Sequence, residues 1–240
     1  MICSTTKTKG FQFKQFSIHD GNSGMPVSTD GVLLGAWARF HSSDTLLDIG
    51  TGTGLLTLML AQRFIDSVIT AVDIDETAIV DATYNIQQSP WHKRITVLHC
   101  DILAQPFEHR FDGIICNPPY FNSGETAKNS QRATARHTHT LSHEHLLDRC
   151  DQLLNKEGSA SFILPKVEGE QFIDLAQHKG WHLNRICYVQ ATINKPCNRL
   201  LFTLKRHSEA CDEERLIIHS ASGGYSEDFI ALTKDFYLKM

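Results

Sequence analysis

From Thr45 onward the chain alternates short apolar runs with longer amphipathic ones, and no other feature constrains its fold as tightly. "TLLDIG", "SVITAVDID", "RITVLHCD", "RFDGIICN" and "SASFILP" are short and rich in apolar and β-branched residues, the pattern of buried strands. Between them, "GLLTLMLAQRF", "ETAIVDATYNIQQ", "SHEHLLDRCDQLL" (ending near Gly158) and "VEGEQFIDLAQHKG" read as helices. Such alternation predicts an α/β fold with a mostly parallel sheet covered by helices on both faces. Further on, "HLNRICYVQA" and "RLLFTLKR" can pair as an antiparallel hairpin. "ERLIIHS" is one more short strand, and "SEDFIALTKDFYLK" a final helix. Ahead of the alternation, "FQFKQFSIHDGNSGMPVS" reads as two extended pieces around a Gly/Asn turn. "STDGVLLGAWARF" reads as a helix with Ser28, Thr29 or Asp30 as N-cap. The 240 residues, 41% apolar and without repeats, are read as a single domain. Residues 1–44 form an extension before the glycine-rich loop, and residues 45–240 the core with its C-terminal helix.

The net charge of −4 neither favours nor excludes nucleic acid, because local basic patches matter more than totals. Seven scattered cysteines without a CxxC pair suit a reducing compartment. "MICSTTKTKG" has no apolar signal region, and no apolar run approaches the roughly 20 residues of a membrane span. The expectation is a soluble, cytoplasmic protein.

In open α/β sheets ligands bind at the carboxyl ends of the strands, near the reversal of strand order. Four polar residues mark those ends here: Asp48, Asp73, Asp101 and Asn117. "LDIGTGTGLL" follows a strand and opens a helix, and Gly50, Gly52 and Gly54 let the backbone turn tightly against a ligand. Its register is GxGxG, with Leu55 where the dinucleotide fingerprint has its third glycine. Asp48 disfavours a pyrophosphate and suits a cationic ligand. Taken alone, the loop fits either a nucleotide-like ligand or a plain βα turn. Asp73 can accept both hydroxyls of an adenosine ribose. Asp101, or the backbone beside it, can face an adenine amino group. Each aspartate could also be a simple helix cap.

"LDIGTGTG", "VDID", "CD" and "NPPY", in this order and spacing, resemble S-adenosylmethionine-dependent methyltransferases of the seven-stranded Rossmann-like kind. The resemblance implies strand order 3-2-1-4-5-7-6, with the last inserted strand antiparallel. It places the methionine end of the cofactor at Asp48, Gly50, Thr51 and Gly52, the ribose at Asp73 and Ile74, and adenine at Asp101 and Ile102, with Asn117 also at the cofactor's edge.

"CNPPY" then acquires a chemistry. An exocyclic amine on adenine is a poor nucleophile, because its lone pair is delocalised into the ring. Methyl transfer from a sulfonium is an in-line displacement, so the site must hold that nitrogen in line at near-attack distance. Acceptors for its two N–H groups pull it toward tetrahedral geometry and stabilise the positive charge that develops. Asn117 offers its side-chain oxygen and Pro118 its carbonyl. Pro119 confines Pro118 to an extended conformation, and Tyr120 can stack on the base. Neither a general base of perturbed pKa nor a metal is required. The alternative is a Pro-rich turn without chemistry.

NPPY serves methyltransferases of adenine N6, of ribosomal-RNA guanine N2 and of a release-factor glutamine, so the motif reports a planar nitrogen and not its owner. Between Thr126 and His143 lie Lys128, Arg132 and Arg136 and no acid. Such a loop suits a phosphate backbone or a solvated lid. His137, His139, His143 and His145 lack the partners of a zinc site. Across nearly the whole chain, "FKQFSIHD", "TDGVLLGAWA", "IQQSPWHKRI", "NPPYF", "QRATARHT", "GWHL" and "YSEDFIALTKDFYLKM" resemble the bacterial valine-tRNA adenine-N6 methyltransferases. That resemblance implies adenosine 37, beside the anticodon, as target, and tRNA, through its anticodon loop, as partner. It places Thr29, Asp30 and Gly31 on the cofactor or target side. Lys128, Arg132, Arg136 and Arg199 are the candidate RNA contacts, followed by Lys7, Lys9, Lys14, Lys205 and Arg206. A protein-glutamine methyltransferase would carry a separate helical domain before the glycine loop, where only about 40 residues stand. A non-catalytic cofactor-binding scaffold would not need an intact Asn117 to Tyr120.

Overall fold

A computed structural model describes residues 10–19, 21, 26–40, 44–119 and 141–240. Tyr120, Lys128, Arg132 and Arg136, with Lys7, Lys9, His137 and His139, lie outside the described residues. The chain enters through a small antiparallel hairpin of β1 (Gly10–Gln12) and β2 (Ser17–His19). Its turn is at residues 14–15; of the Gly/Asn segment read as a turn, residues 22–25 lie outside the described residues. The Phe13 N–H bonds the Phe16 carbonyl at 2.9 Å, and the two rings stack at 4.6 Å, so an apolar pair closes the turn. Next comes α1 (Thr29–Trp37), capped by Ser28, whose hydroxyl accepts the Gly31 N–H at 3.0 Å.

β3 (Thr45–Ile49), α2 (Leu55–Arg63), β4 (Val68–Asp73), α3 (Glu76–Gln87), β5 (Ile95–His99) and β6 (Phe111–Cys116) follow the expected alternation. After them come α4 (His143–Leu153), β7 (Leu154–Pro165), α5 (Lys166–His178), β8 (His182–Thr192), β9 (Cys197–Lys205), β10 (Asp212–His219) and α6 (Glu227–Thr233). The main sheet runs β10-β8-β9-β7-β6-β3-β4-β5. Seven of its strands take the expected 3-2-1-4-5-7-6 order. β9 runs antiparallel to both its neighbours, and the other pairs are parallel. The eighth strand is the difference: β10 pairs parallel with β8 and covers an edge whose backbone groups would otherwise face water. α4 stops at Leu153, five residues before Gly158, and the following residues join β7. Asn155 Nδ2 donating to Asp112 Oδ1 at 2.6 Å ties this early part of β7 to β6. α6 is shorter than its pattern suggested; beyond Thr233 the chain turns so that Tyr237 bridges Phe13.

Alternate residues of each strand serve opposite layers. Leu47, Ile49, Ile114, Cys116, Phe162 and Leu164 pack against α4 and α5. Leu46, Ile69, Ile115, Ile163 and Leu201 pack against α1, α2 and α6. The chain builds β3, β4 and β5 outward in one direction, then crosses back to β6 on the other side of β3. That reversal opens a crevice at the carboxyl ends of β3 and β6. Among the described residues no helix is long and apolar enough to cross a membrane.

Candidate active site

Register aligns Leu98, Val72, Ile49, Cys116 and Phe162 in one row across five strands. One residue further on stand His99, Asp73, Gly50 and Asn117, the first positions past the core at the reversal. Gly50, Gly52 and Gly54 have φ of +74°, +56° and +84°, which side chains with a Cβ rarely adopt. A Cβ built at Gly50 would meet no atom within 4 Å, so the loop leaves open space on that side. Below it, the Gly50 and Thr51 N–H groups both bond the Val72 carbonyl, at 2.9 and 3.0 Å.

Asp48 lies beneath this loop with 0% exposure. Its Oδ2 accepts the Thr51 hydroxyl at 2.7 Å, the Thr57 hydroxyl at 2.6 Å and the Thr57 N–H at 3.1 Å. The aspartate therefore braces the loop against the start of α2, and the side chain of Thr51 is turned inward to it. Oδ1 is shielded from water and has no hydrogen-bond partner. Burial raises the Asp48 pKa from 3.8 to about 6, opposed by the Thr57 and Thr51 bonds and reinforced by the charge of Asp73. Between those two values the native protein holds more protons than the unfolded chain, so this group makes stability fall as pH rises from about 4 to 6. The fall amounts to about 3 kcal/mol. In Asp48→Asn that component is absent. Denaturant unfolding of the variant and wild type should give a stability difference that moves in the variant's favour by about this amount between pH 4 and 7. A difference independent of pH would refute the assignment.

Asp73 ends β4, half-buried. Its Oδ2 accepts the Gly52 N–H at 2.9 Å and its Oδ1 the Asp75 N–H at 3.0 Å. Burial raises its pKa also. Ile74 is exposed beside it, its carbonyl 3.0 Å from His99 Nε2. Asp101 caps the turn after β5, accepting the Leu103 N–H at 2.9 Å. Ile102 is buried in the α4–α5 layer, which leaves its backbone as the part able to meet a ligand. Thr29 is exposed at the first turn of α1, and Asp30 beside it pairs with Arg199 at 2.8 Å. Pro118 is buried and Pro119 exposed. Asn117 Oδ1, like Asp48 Oδ1, is shielded from water and has no hydrogen-bond partner. A buried acceptor without a donor costs about 1–3 kcal/mol, and its place at the end of β6 makes this one a candidate to meet a ligand.

Asn85, on α3, is a part of the site that the strand-end reasoning missed. It is 1% exposed, accepts the His19 N–H at 2.9 Å and donates to the carbonyls of His19 at 3.1 Å and Thr53 at 2.9 Å. One amide thus fastens the N-terminal hairpin to the glycine loop. The available signal was an asparagine on the inward stripe of a helix that carries Ala78, Asp81, Ala82 and Ile86 there.

The buried carboxylates, with a mutual repulsion and an unsatisfied oxygen, suit a cationic ligand, and the open space above Gly50 gives it room. The residues present therefore fit S-adenosylmethionine.

Comparison with known proteins agrees. The model of the Methyltransferase small domain family matches residues 32–165. The chain is 61% identical, over all 240 residues of both proteins, to the tRNA1(Val) (adenine(37)-N6)-methyltransferase of Vibrio vulnificus. It is 61% identical over 236 residues, 98% of each chain, to the protein of that name from Vibrio campbellii. Among solved structures it superposes on a predicted O-methyltransferase from Agrobacterium tumefaciens with a TM-score of 0.68 at 16% identity, covering 86% of this chain and 96% of that one. The glycopeptide N-methyltransferase MtfA complexed with sinefungin gives 0.57 at 11% identity, over 76% and 89%. At such identities the solved structures share the fold alone. The full-length relatives carry the finer assignment: the chain belongs to the tRNA1(Val) (adenine(37)-N6)-methyltransferase family.

Proposed function

We propose that this protein methylates N6 of adenosine 37 in a valine tRNA, using S-adenosylmethionine, by clamping the adenine amino group at Asn117 and Pro118. The observation that carries the reading is the water-shielded, unpartnered Asn117 Oδ1, one strand from the glycine loop at the sheet's reversal. The bound cofactor supplies an electrophilic methyl group on a sulfonium. The glycine loop, with the Asp48 carboxylate buried beneath it, would hold the cationic methionine end, Asp73 would accept from the ribose, and the turn capped by Asp101 would border adenine. On the substrate side, Asn117 and Pro118 accept the two N–H groups, which localises the nitrogen lone pair. Pro119 limits Pro118 to extended backbone and so fixes the aim of its carbonyl. Tyr120 stacks on the base, which must first be turned out of the RNA loop at a cost of a few kcal/mol. The proton leaves after positive charge has built up, so the chain needs no strong base.

Residues Lys128, Arg132 and Arg136, which follow the clamp in the sequence, are the proposed phosphate contacts, and a reducing cytoplasm is the proposed compartment. The direct test is incubation with methyl-labelled cofactor and either bulk tRNA or release factor. Label should enter tRNA, as N6-methyladenosine at position 37. Label in release factor, in guanine or in neither substrate would overturn the reading.

A further inference from the structure

Residues 175–208 contain six cations, Lys179, Arg185, Lys195, Arg199, Lys205 and Arg206, and no acid. The fold sorts them into two groups. Lys179 pairs with Glu144 at 3.1 Å and Asp148 at 2.8 Å, Arg185 with Glu214 at 2.8 Å, Lys205 with Glu209 at 2.7 Å and Arg206 with Asp151 at 2.8 Å. Lys205 aligns with the first residues of β8, at the edge of the sheet opposite Asn117. These four cations are committed to acids of the protein's own surface and interior.

Arg199 and Lys195 lie at the other end. Arg199 is level with Pro165, where β7 ends. β8 and β10 continue past that row by residues 190–192 and 217–219. At strand rise this is a projection of about 10 Å beyond β7, beside the crevice. The turn joining β8 to β9 tops it and is closed by two bonds: the Lys195 N–H to the Thr192 carbonyl at 3.0 Å, and Gln190 Nε2 to the Lys195 carbonyl at 2.7 Å. Lys195 is exposed there and forms no ion pair among the described residues. Ile193 next to it is 55% exposed. At the base, Arg199 pairs with Asp30 at the first turn of α1. β9 is two strands from β6, about 10 Å, so the wall stands where the backbone flanking a base held at Asn117 must pass.

We propose that the projecting β8–β9 turn grips the RNA backbone beside the target base, with Lys195 as its phosphate contact and Arg199 at its foot. The inference rests on the RNA reading above. It favours Lys195 over Lys205, the cation of the same hairpin that was a candidate RNA contact from the sequence.

The test measures affinity for an unmodified valine-tRNA transcript as a function of salt in the full-length protein. Lys195→Ala should weaken binding about three- to tenfold near 0.1 M salt and make the log–log salt slope shallower by about 0.7–0.9, the share of one phosphate contact. Lys195→Arg should restore both, and Lys205→Ala should match wild type. Cofactor affinity should be equal in all four proteins. The inference is overturned if Lys195→Ala keeps the wild-type affinity and slope, if Lys205→Ala weakens binding as much, or if cofactor affinity falls in parallel. Failure of the functional reading is distinct, because it shows in the wild type alone as no methyl transfer to tRNA.

Discussion

Asn117→Ala should lower kcat by about 10²–10³, the usual cost of removing one preorganised polar group from a reacting centre, with cofactor affinity little changed. The asymmetry follows from where the oxygen is. Asn117 Oδ1 is shielded from water and accepts no hydrogen bond among the described residues, so its removal breaks no such bond. Its loss even relieves the cost of a buried, unsatisfied acceptor, and the variant should unfold no earlier than wild type. What disappears is an acceptor for an N–H that becomes a stronger donor as the nitrogen acquires positive charge. That interaction is larger in the transition state than in the ground state, so it lowers kcat and kcat/KM together. Asn117→Asp keeps an acceptor in place but adds a charge beside Asp48 and Asp73, both already raised in pKa by burial. It should recover part of the activity, more at higher pH where it is ionised. Single-turnover methyl transfer to a valine-tRNA transcript measures both variants. Wild-type turnover in Asn117→Ala would remove the clamp from the mechanism.

The fold was legible because its signals are local and repeated. Each apolar run from "TLLDIG" to "SASFILP" became a parallel strand, and Ser28, Asp75 and Ser142 cap helices as their residue types suggest. The candidate site was legible because strand ends are sequence positions: register alone brings Asp73, Gly50 and Asn117 side by side. What escaped depends on contacts between distant segments. "ERLIIHS" reads as a strand, but nothing in it says that it extends the sheet beyond β8. The N-terminal hairpin turns at an apolar pair of phenylalanines, and Phe13 also packs against Tyr237, a contact that no local pattern announces. Asn85 looks like any helical asparagine until His19 and Thr53 are found on either side of it. Arg199, Lys205 and Arg206 are similar cations in sequence, and only the direction of β9 separates them, by about 20 Å of strand.

Asp73→Ala should show the opposite pattern to Asn117→Ala: cofactor Kd raised by roughly 10²–10⁴, and kcat at saturating cofactor within a few-fold of wild type. Two hydrogen bonds to a charged acceptor contribute about 1.5–3 kcal/mol each, and a ribose offers two hydroxyls to one carboxylate. The ribose does not react, so its binding is the same in ground and transition states, and its loss appears in affinity rather than turnover. The internal bonds of Asp73 to the Gly52 and Asp75 N–H groups are lost as well, which loosens the glycine loop and adds to the rise in Kd. Stability should respond differently. Burial raises the pKa of Asp73, and its charge raises that of Asp48, so at neutral pH the cofactor-free protein holds two carboxylates in an unfavourable setting. Below its raised pKa Asp73 becomes protonated and accepts less well, so wild-type cofactor affinity should fall as pH drops through that range, and fall more steeply than that of Asp73→Ala, in which Asp48 alone of the two still titrates. Calorimetric titration with cofactor at several pH values reads both effects. An unchanged Kd at neutral pH, or a kcat loss without a Kd rise, would take Asp73 out of the ribose site.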